Sequence, residues 1–293
     1  MPVIEEQVAL SRFTTLGTGG PARWFAKPAT LDELLEALEW AADRGAPVSV
    51  VGLGSNLLVA DEGVDGLVLK LAGELAAAEV EGERLFAGGG APLAVCLHRA
   101  RGASLGGLEF ACAIPGTVGG GVKMNAGAYG GDIAGVLERA LVVSASGPEW
   151  RTPAELGLEY RRSALGEGEV VARAEFRLSP RRAEEIKAVV SEMQAQRKAA
   201  QPTNKRTFGS VFKNPDHRLS AGRMLEACGL RGYRIGGAQI SPRHANFIEN
   251  ADGARSIDAI GLMAEARRRA LDEFGVTLEH EVQLLGELVL PAV

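Results

Sequence analysis

The sequence predicts an α+β fold, because helical and strand patterns follow one another without the regular strand–helix–strand alternation of a doubly wound sheet. Leucines at helical spacing predict a helix over residues 31–44, and residues 184–198 and 256–274 predict two longer helices. Short apolar runs at 48–51 and 170–178 predict buried strands. No internal repeat is present, and 293 residues suffice for two or three domains or for one large domain.

The first half of the chain combines short elements with glycine turns. Gly45 ends the first predicted helix, and strands at 48–51 and 66–71 are separated by a turn at residues 52–56. Between residues 85 and 101 we expect a strand, a turn of three glycines and a short amphipathic helix. This order places a glycine turn directly after each of two predicted strands.

The second half contains the clearest candidate for a domain boundary. Strands are expected at 137–145 and 170–178, and the helix over 184–198 is followed by a polar stretch at 201–205. We therefore place a boundary near residue 197. The remaining expected elements are a helix at 221–227 ended by Gly229, strands near Gln239, at 247–249 and at 282–285, and the helix over 256–274.

Composition excludes several classes of function. A net charge of −5 is unfavourable for non-specific nucleic-acid binding, and no apolar run approaches the roughly 20 residues that span a bilayer. The first six residues lack the basic and apolar regions of a signal peptide, so we expect a cytoplasmic protein without a nucleic-acid or membrane partner. Cys96, Cys112 and Cys228 form no paired motif, which predicts small core residues and neither disulfides nor a metal site.

The most informative stretch is the run at residues 114–130, in which glycines alternate with small apolar residues. Glycines at this density let backbone amides turn toward an anion, which indicates a phosphate cradle. Taken alone, a buried turn between strands is the better interpretation of such a run. Lys123 could balance the charge of a bound anion, although an exposed lysine is the commoner outcome.

The turn at residues 52–56 is a second candidate for an anion-facing loop, through its amides and the side chains of Ser55 and Asn56. It does not form a dinucleotide-binding fingerprint, because Leu57 occupies the position of the third glycine. Residues 58–66 also contain too many turn residues for the helix that such a fingerprint requires. A Rossmann site is therefore not expected here.

Four sequence blocks occur in order, namely GLGSNLL at 52–58, the run at 114–130, EYRRS at 159–163, and GSVFKNP at 209–215 with LEHEV at 278–282. Together they closely resemble the UDP-N-acetylenolpyruvoylglucosamine reductase (MurB) family of peptidoglycan synthesis, from about Thr14 to Gly286. The resemblance implies an FAD-binding fold of the vanillyl-alcohol-oxidase type with two subdomains, followed by a smaller α+β substrate-binding domain. The implied domains are residues 1–65, joined by 285–293, then 66–196, and then 197–284.

The resemblance also implies a reaction and its cofactors. A hydride passes from NADPH to tightly but non-covalently bound FAD, and then to the enolpyruvyl group of a UDP-sugar, which gives UDP-N-acetylmuramate. A monomer that binds these small molecules is expected. The residues implied to hold FAD, mainly at its pyrophosphate, are Gly52, Gly54, Ser55, Asn56, Leu57, Ile114, Pro115, Gly116, Thr117, Val118, Gly119, Gly120, Asn125, Ala126 and Gly127.

By the same resemblance, Ser210 protonates the enolate that hydride addition leaves, and Arg161 and Glu281 polarise the substrate carboxylate. Arginine suits this role because its planar guanidinium donates two parallel hydrogen bonds to a carboxylate. Taken singly, each of these three residues also fits an ordinary turn or surface position. Further substrate contacts are implied for Tyr160, Lys198, Asn214 and His244.

The chain departs from the family pattern at three places. Leu53 stands where the family commonly has glycine, which is harmless unless the position needs a positive φ. Phe208 replaces a small residue before Gly209, and this puts the packing of the Ser210 loop in question. The stretch between Arg161 and Ser210 is compact and resembles the family class without a tyrosine-bearing lid.

Two other functions remain open at this point. An oxidase acting on a sugar or lactone would share the flavin fold, but it does not explain Arg161, Ser210 and Glu281 in their matched blocks. A nucleotide-binding regulatory module without chemistry would explain the glycine loops alone. The second alternative predicts a purified protein without flavin absorbance.

Overall fold

Over residues 3–293, the computed structural model contains six α-helices and nineteen β-strands. The helices are α1 (Leu31–Ala42), α2 (Leu93–Gly102), α3 (Val118–Lys123), α4 (Ala183–Ala200), α5 (Ala221–Ala227) and α6 (Ser256–Phe274). The strands are β1 (Ile4–Ala9), β2 (Pro21–Ala26), β3 (Val48–Val50), β4 (Leu57–Val59), β5 (Val64–Leu69), β6 (Ala78–Glu81), β7 (Arg84–Gly88), β8 (Leu105–Gly106), β9 (Gly127–Ala128), β10 (Gly131–Asp132), β11 (Leu137–Ser144), β12 (Gly147–Arg151), β13 (Val170–Arg177), β14 (Ser179–Pro180), β15 (Thr207–Ser210), β16 (Arg234–Ile235), β17 (Ala238–Ile240), β18 (Phe247–Asn250) and β19 (Gln283–Leu285). The first two residues of the predicted N-terminal domain lie outside the described residues.

The chain divides into two units. The first contains residues 3–6, 24–53 and 66–197 of the described chain, and the second contains residues 7–23, 54–65 and 198–293. The division after residue 197 lies within the last turn of α4, three residues before that helix ends at Ala200.

The first unit is built on a five-stranded antiparallel sheet in the order β12-β11-β13-β7-β6. β13 is buried at six of its eight positions, which its run of valine, alanine and phenylalanine explains. β3 and β5 form a parallel pair in which Val50 lies opposite Leu69. α1 packs its buried leucines and alanines into a second core of this unit.

The second unit contains a four-stranded antiparallel sheet in the order β15-β18-β17-β16, and α5 and α6 contribute to its core. β4 pairs in parallel with β19, with Leu57 opposite Gln283. α6 buries one stripe of small and apolar residues and ends at Gly275, whose φ of 66° gives a left-handed cap. The long helix thus covers the sheet with the face that its 3.6-residue period predicts.

Most predicted elements are confirmed, with shifted ends. The helix over 256–274 is observed as predicted, and the helix predicted over 31–44 ends at Ala42. The strand predicted at 66–71 lies at Val64–Leu69, and β4 follows the first glycine turn where a Rossmann site would need a helix. Of the cysteines, Cys96 is fully buried, and burial raises the pKa of its thiol to about 12.

The described part of the chain has no helix that combines the length and the hydropathy needed to cross a bilayer.

Candidate active site

The first glycine turn follows β3, and its shape depends on Gly54. Gly54 has a φ of 66°, and a Cβ at this position would overlap the backbone of Phe13. Leu53 has a negative φ and is 40% exposed, so its side chain points into space that a family glycine would leave open. The departure at Leu53 therefore imposes no backbone strain.

The amides of this turn are available to a ligand. Among residues 3–293, no acceptor pairs with the backbone N–H of Leu53, Gly54 or Asn56. The side chain of Asn56 is engaged, since its amide nitrogen donates to the carbonyl oxygen of Glu281 at 3.3 Å. Neighbouring open amides form an anion-binding concavity, so the backbone rather than the Asn56 side chain is suited to a phosphate.

The second glycine run is more regular than a loop. Residues Val118–Lys123 form α3, whose valines at 118 and 122 are buried. The amides of Val118 and Gly119 donate to the carbonyl oxygens of Ala91 at 2.9 Å and Gly89 at 2.7 Å. These two amides therefore hold the run in place. In the described chain, the amides of Thr117 and Gly120 have no protein acceptor and remain open to an anion.

Two glycines of this run leave space for a bound group. A Cβ at Gly116 or Gly120 would meet no protein atom closer than 3.7 Å, and neither residue has a positive φ. The protein itself therefore does not require glycine at either position. Gly52 differs, because a Cβ there would lie 2.6 Å from Oγ1 of Thr117 and would separate the first turn from the second run.

Two side chains of the second glycine run, those of Lys123 and Asn125, make hydrogen bonds to backbone groups of neighbouring segments. Asn125 is 5% exposed with a φ of 37°; its side-chain oxygen accepts from the amide of Ala134 at 2.9 Å, and its nitrogen donates to the carbonyl of Glu159 at 3.2 Å. Lys123 is half-buried and donates to the carbonyl of Leu165 at 2.8 Å, so the expectation of an exposed lysine is wrong. Asn125 connects the run directly to the EYRRS block.

Arg161 lies in this first unit, in a strained turn. Its φ is 55°, a conformation that costs a non-glycine residue about 1–2 kcal/mol. The guanidinium donates to the carbonyl of Gly127 at 2.7 Å and lies 5.0 Å from the ring centre of Tyr160, which is 54% exposed. The second glycine run thus determines where the arginine side chain points.

Ser210 and Glu281 lie on adjacent segments of the second unit. The amide of Glu281 donates to the carbonyl of Val211 at 2.8 Å, one residue after Ser210. Gly209 has a φ of 85° within a bulge of β15, and Ser210, the last residue of that strand, is half-buried. Within residues 3–293 the Ser210 hydroxyl makes no hydrogen bond, so it is available to a substrate. Phe208 is fully buried in the core of the unit, which resolves the question of its packing.

Asn246 is a positioning residue that the sequence patterns did not indicate. It is 4% exposed, and its side chain accepts from the amide of Phe212 at 3.0 Å and donates to the carbonyl of the same residue at 2.8 Å. Its own carbonyl accepts from the amide of Val211 at 2.9 Å. An asparagine directly before the strand predicted at 247–249 was the only available signal. Asn246 fixes the two residues that follow Ser210.

The residues implied to contact substrate also have local partners in the second unit. The side chain of Asn214 accepts from the amide of Ala221 at 3.2 Å, which satisfies an N–H at the start of α5. Lys198 is exposed at the end of α4, and its carbonyl accepts from Arg243 at 2.6 Å. Burial and then the charge of Arg231 lower the pKa of His244, consistent with a neutral imidazole.

Comparison with known proteins identifies the family. Residues 22–152 match the sequence profile described as FAD binding domain, and residues 201–285 match UDP-N-acetylenolpyruvoylglucosamine reductase, C-terminal domain. UDP-N-acetylenolpyruvoylglucosamine reductase 2 of Symbiobacterium thermophilum is 44% identical over 279 residues, covering 94% of this chain and 90% of that protein. The chain belongs to the UDP-N-acetylenolpyruvoylglucosamine reductase (MurB) family. The family that the sequence motifs resemble is therefore confirmed.

Further MurB relatives support the assignment along the whole chain. The Rubrobacter xylanophilus reductase is 42% identical over 288 residues, covering 98% of this chain and 96% of that protein. The crystal structure of the Thermus caldophilus MurB superposes with a TM-score of 0.86 at 40% identity, covering 97% of this chain and all of that one. The predicted α+β flavin fold is confirmed, and as a MurB family member the chain is an FAD-dependent oxidoreductase.

Proposed function

We propose that the chain reduces UDP-N-acetylenolpyruvoylglucosamine to UDP-N-acetylmuramate with NADPH and FAD in peptidoglycan synthesis. The observation that carries this proposal is the direct pairing of the Ser210 and Glu281 segments, through the Glu281 amide and the Val211 carbonyl. A hydroxyl and a carboxyl group that are carried on adjacent backbone segments suit protonation of a carbanion beside a carboxylate. The names and coverage of the MurB relatives support the same reaction.

The glycine segments fit the pyrophosphate of FAD. In the first unit, the open amides of Leu53, Thr117 and Gly120 supply donors, and the missing Cβ atoms at 116 and 120 supply room. When bound, FAD supplies the redox chemistry, carrying a hydride from NADPH to the enolpyruvyl double bond. We propose that all fifteen residues assigned to FAD from the family pattern lie at or beside this cofactor, and that Asn125 and Gly127 act through backbone shape.

In the proposed reaction, side chains of the protein stabilise the negative charge that forms on the substrate and supply a proton to it. Hydride addition to the terminal carbon leaves negative charge on the neighbouring carbon and its carboxylate, and we assign Arg161 to bind that carboxylate. Ser210 Oγ donates a proton to the neighbouring carbon; a hydroxyl suffices as the acid because the enolate is strongly basic. We assign Glu281 to polarise the same carboxylate together with Arg161.

The remaining contacts orient the substrate. We propose that Lys198, exposed at the end of α4, meets the diphosphate, and that Asn214 and His244 contact polar groups of the same molecule. Tyr160 stacks beside Arg161 and presents an exposed ring to the substrate. A neutral His244 can donate or accept a hydrogen bond without adding charge to the site.

We also propose that the enzyme works as a cytoplasmic monomer with domains at residues 1–65, 66–196 and 197–284, with 285–293 joining the first. Cytoplasmic supplies of NADPH and UDP-sugar support the location. The separation of the two units after residue 197 supports the last boundary. Size-exclusion chromatography with light scattering tests the monomer, and a mass near twice that of the chain would contradict it.

The proposed reaction is tested by its product. Purified protein is supplied with NADPH and UDP-N-acetylenolpyruvoylglucosamine, and the product mass is measured. We expect NADPH consumption only with this substrate and a product that is two hydrogens heavier. Oxygen-dependent oxidation of free sugars or lactones, with no reduction of the enolpyruvyl ether, would instead establish the oxidase alternative.

A further inference from the structure

Lys70 lies where two parallel strands of the first unit end. Val50 of β3 is opposite Leu69 of β5, so Gly52 and Lys70 leave the sheet at the same edge. The ammonium of Lys70 donates to the carbonyl oxygen of Gly52 at 2.6 Å. Ligand-binding loops often follow the carboxyl ends of parallel strands. Here the charged side chain of Lys70 hydrogen-bonds the first peptide of such a loop.

This hydrogen bond fixes the direction of the next amide. In a planar trans peptide the carbonyl of Gly52 and the N–H of Leu53 point in opposite directions. When the ammonium holds the carbonyl, the Leu53 amide is directed away from Lys70, and in the described chain it meets no protein acceptor. Gly52 also packs against Thr117 of the second glycine run. The Gly52–Leu53 peptide is therefore contacted by both Lys70 and that run.

The Lys70 side chain is also partly withdrawn from water. Lys70 is half-buried, and burial together with the charge of Lys27 lowers the pKa of its ammonium. A partly desolvated cation gains from a nearby negative charge more than a fully solvated one does. The sheet edge therefore holds a positive charge behind a turn whose open amide is itself suited to an anion.

We propose that Lys70 is a cofactor-positioning residue, which fixes the Gly52–Leu53 peptide for the FAD pyrophosphate and adds a positive charge behind it. The inference rests on the proposed function, because FAD is the anion that it names. It goes beyond the residues of the glycine blocks, since Lys70 lies twelve or more residues from each of them in the sequence.

The test measures how tightly the full-length holoenzyme holds FAD. The holoenzyme is diluted, and the release of FAD is monitored through the recovery of flavin fluorescence. Lys70→Met removes both the hydrogen bond and the charge at similar size, and we expect FAD binding to weaken by roughly tenfold or more. Lys70→Gln keeps a hydrogen-bond donor without the charge, and we expect its affinity for FAD to lie between those of the wild type and Lys70→Met. Lys27→Met is the matched control, because it removes a neighbouring charge without touching Gly52.

An unchanged dissociation constant in Lys70→Met, or an equal loss in Lys27→Met, overturns the inference. Circular dichroism and melting of the same samples check folding, and if Lys70→Met does not fold, Lys70→Gln decides by the same criterion. If the wild-type chain itself binds no FAD, the proposed function fails instead. The two failures are therefore distinguishable.

Discussion

Ser210, which we propose as the acid of one step of the reaction, lies on a backbone that several contacts fix. The register of β15 against β18 shifts between Thr207 and Ser210, and the backbone pair between Val211 and Glu281 holds the neighbouring segment. These contacts need no substrate. The backbone that carries the proposed acid is therefore in place before any enolate forms, and such preorganisation lowers the reorganisation that a proton transfer requires.

Ser210→Ala is expected to separate the two half-reactions. Reduction of the flavin by NADPH needs no proton from Ser210 and should stay close to the wild-type rate. Reoxidation by the enolpyruvyl substrate should slow by roughly 10²–10⁴-fold, the usual range for a lost general acid. Anaerobic stopped-flow absorbance measures both steps, and similar losses in the two would show that the role assigned to Ser210 is wrong.

Asn246→Ala is expected to damage both stability and the substrate half-reaction. The change leaves the amide and carbonyl of Phe212 without their buried partners, which costs about 2–5 kcal/mol. Asn250→Ala is the matched control at the far end of β18, the strand that Asn246 directly precedes, since the Asn250 side chain also makes two backbone hydrogen bonds, to Leu16 and Ala254.

Chemical denaturation and flavin reoxidation by substrate are measured for both variants. We expect the control to lose stability while its reoxidation rate stays near that of the wild type. If both variants slow reoxidation equally, Asn246 does not position the Ser210 loop specifically.

For single residues, the sequence indicates the proposed catalytic side chains better than it indicates the side chains that fix the backbone around them. Ser210, Arg161 and Glu281 stand in recognisable blocks, and their roles stay predictions. Asn246 and Lys70 stand in no block, because their importance depends on which backbone atoms the fold brings to them. A local sequence pattern contains no information about contacts that are distant along the chain.

Among the elements, the first glycine turn depends on one backbone conformation. Gly54 and Gly45 share positive φ values of 66° and 60°, but a Cβ at Gly54 overlaps the Phe13 backbone, whereas at Gly45 it meets nothing within 4 Å. Gly45→Ala should cost about 1–2 kcal/mol from backbone strain alone. Gly54→Ala adds the overlap and should cost at least about 3 kcal/mol while weakening FAD binding.

Denaturation midpoints of the two variants, with and without added FAD, provide the comparison. Equal destabilisation would mean that the turn relaxes around a methyl group. That result would show that close packing against Phe13 does not require glycine at position 54.

Sequence periodicity predicts the long helices and several short elements, but it misses α3. α6 is predicted because nineteen residues repeat a helical stripe, whereas α3 contains three glycines that each disfavour a helix by about 1 kcal/mol. α3 forms because Val118 and Val122 are buried and the amides at its start are held by Ala91 and Gly89. Tertiary packing outweighs local propensity there, and that packing is not visible in the run itself.

For the whole molecule, the order of the blocks predicts more than any single block. The flavin fold and the MurB family follow from four blocks in sequence, and both are confirmed. The exchange of segments between the two units could not be predicted, because residues 7–23 and 54–65 belong with the C-terminal part of the chain. Strand pairing such as that of β4 with β19 joins positions over 200 residues apart.

The central claim is that this chain passes a hydride from NADPH, through bound FAD, to an enolpyruvyl UDP-sugar. The visible spectrum of the purified protein under anaerobic conditions tests it most directly. We expect a yellow protein whose flavin bands bleach on addition of NADPH and recover when UDP-N-acetylenolpyruvoylglucosamine is added. A colourless protein that cannot be reconstituted with FAD, or a reduced flavin that stays bleached with this substrate, would contradict the claim.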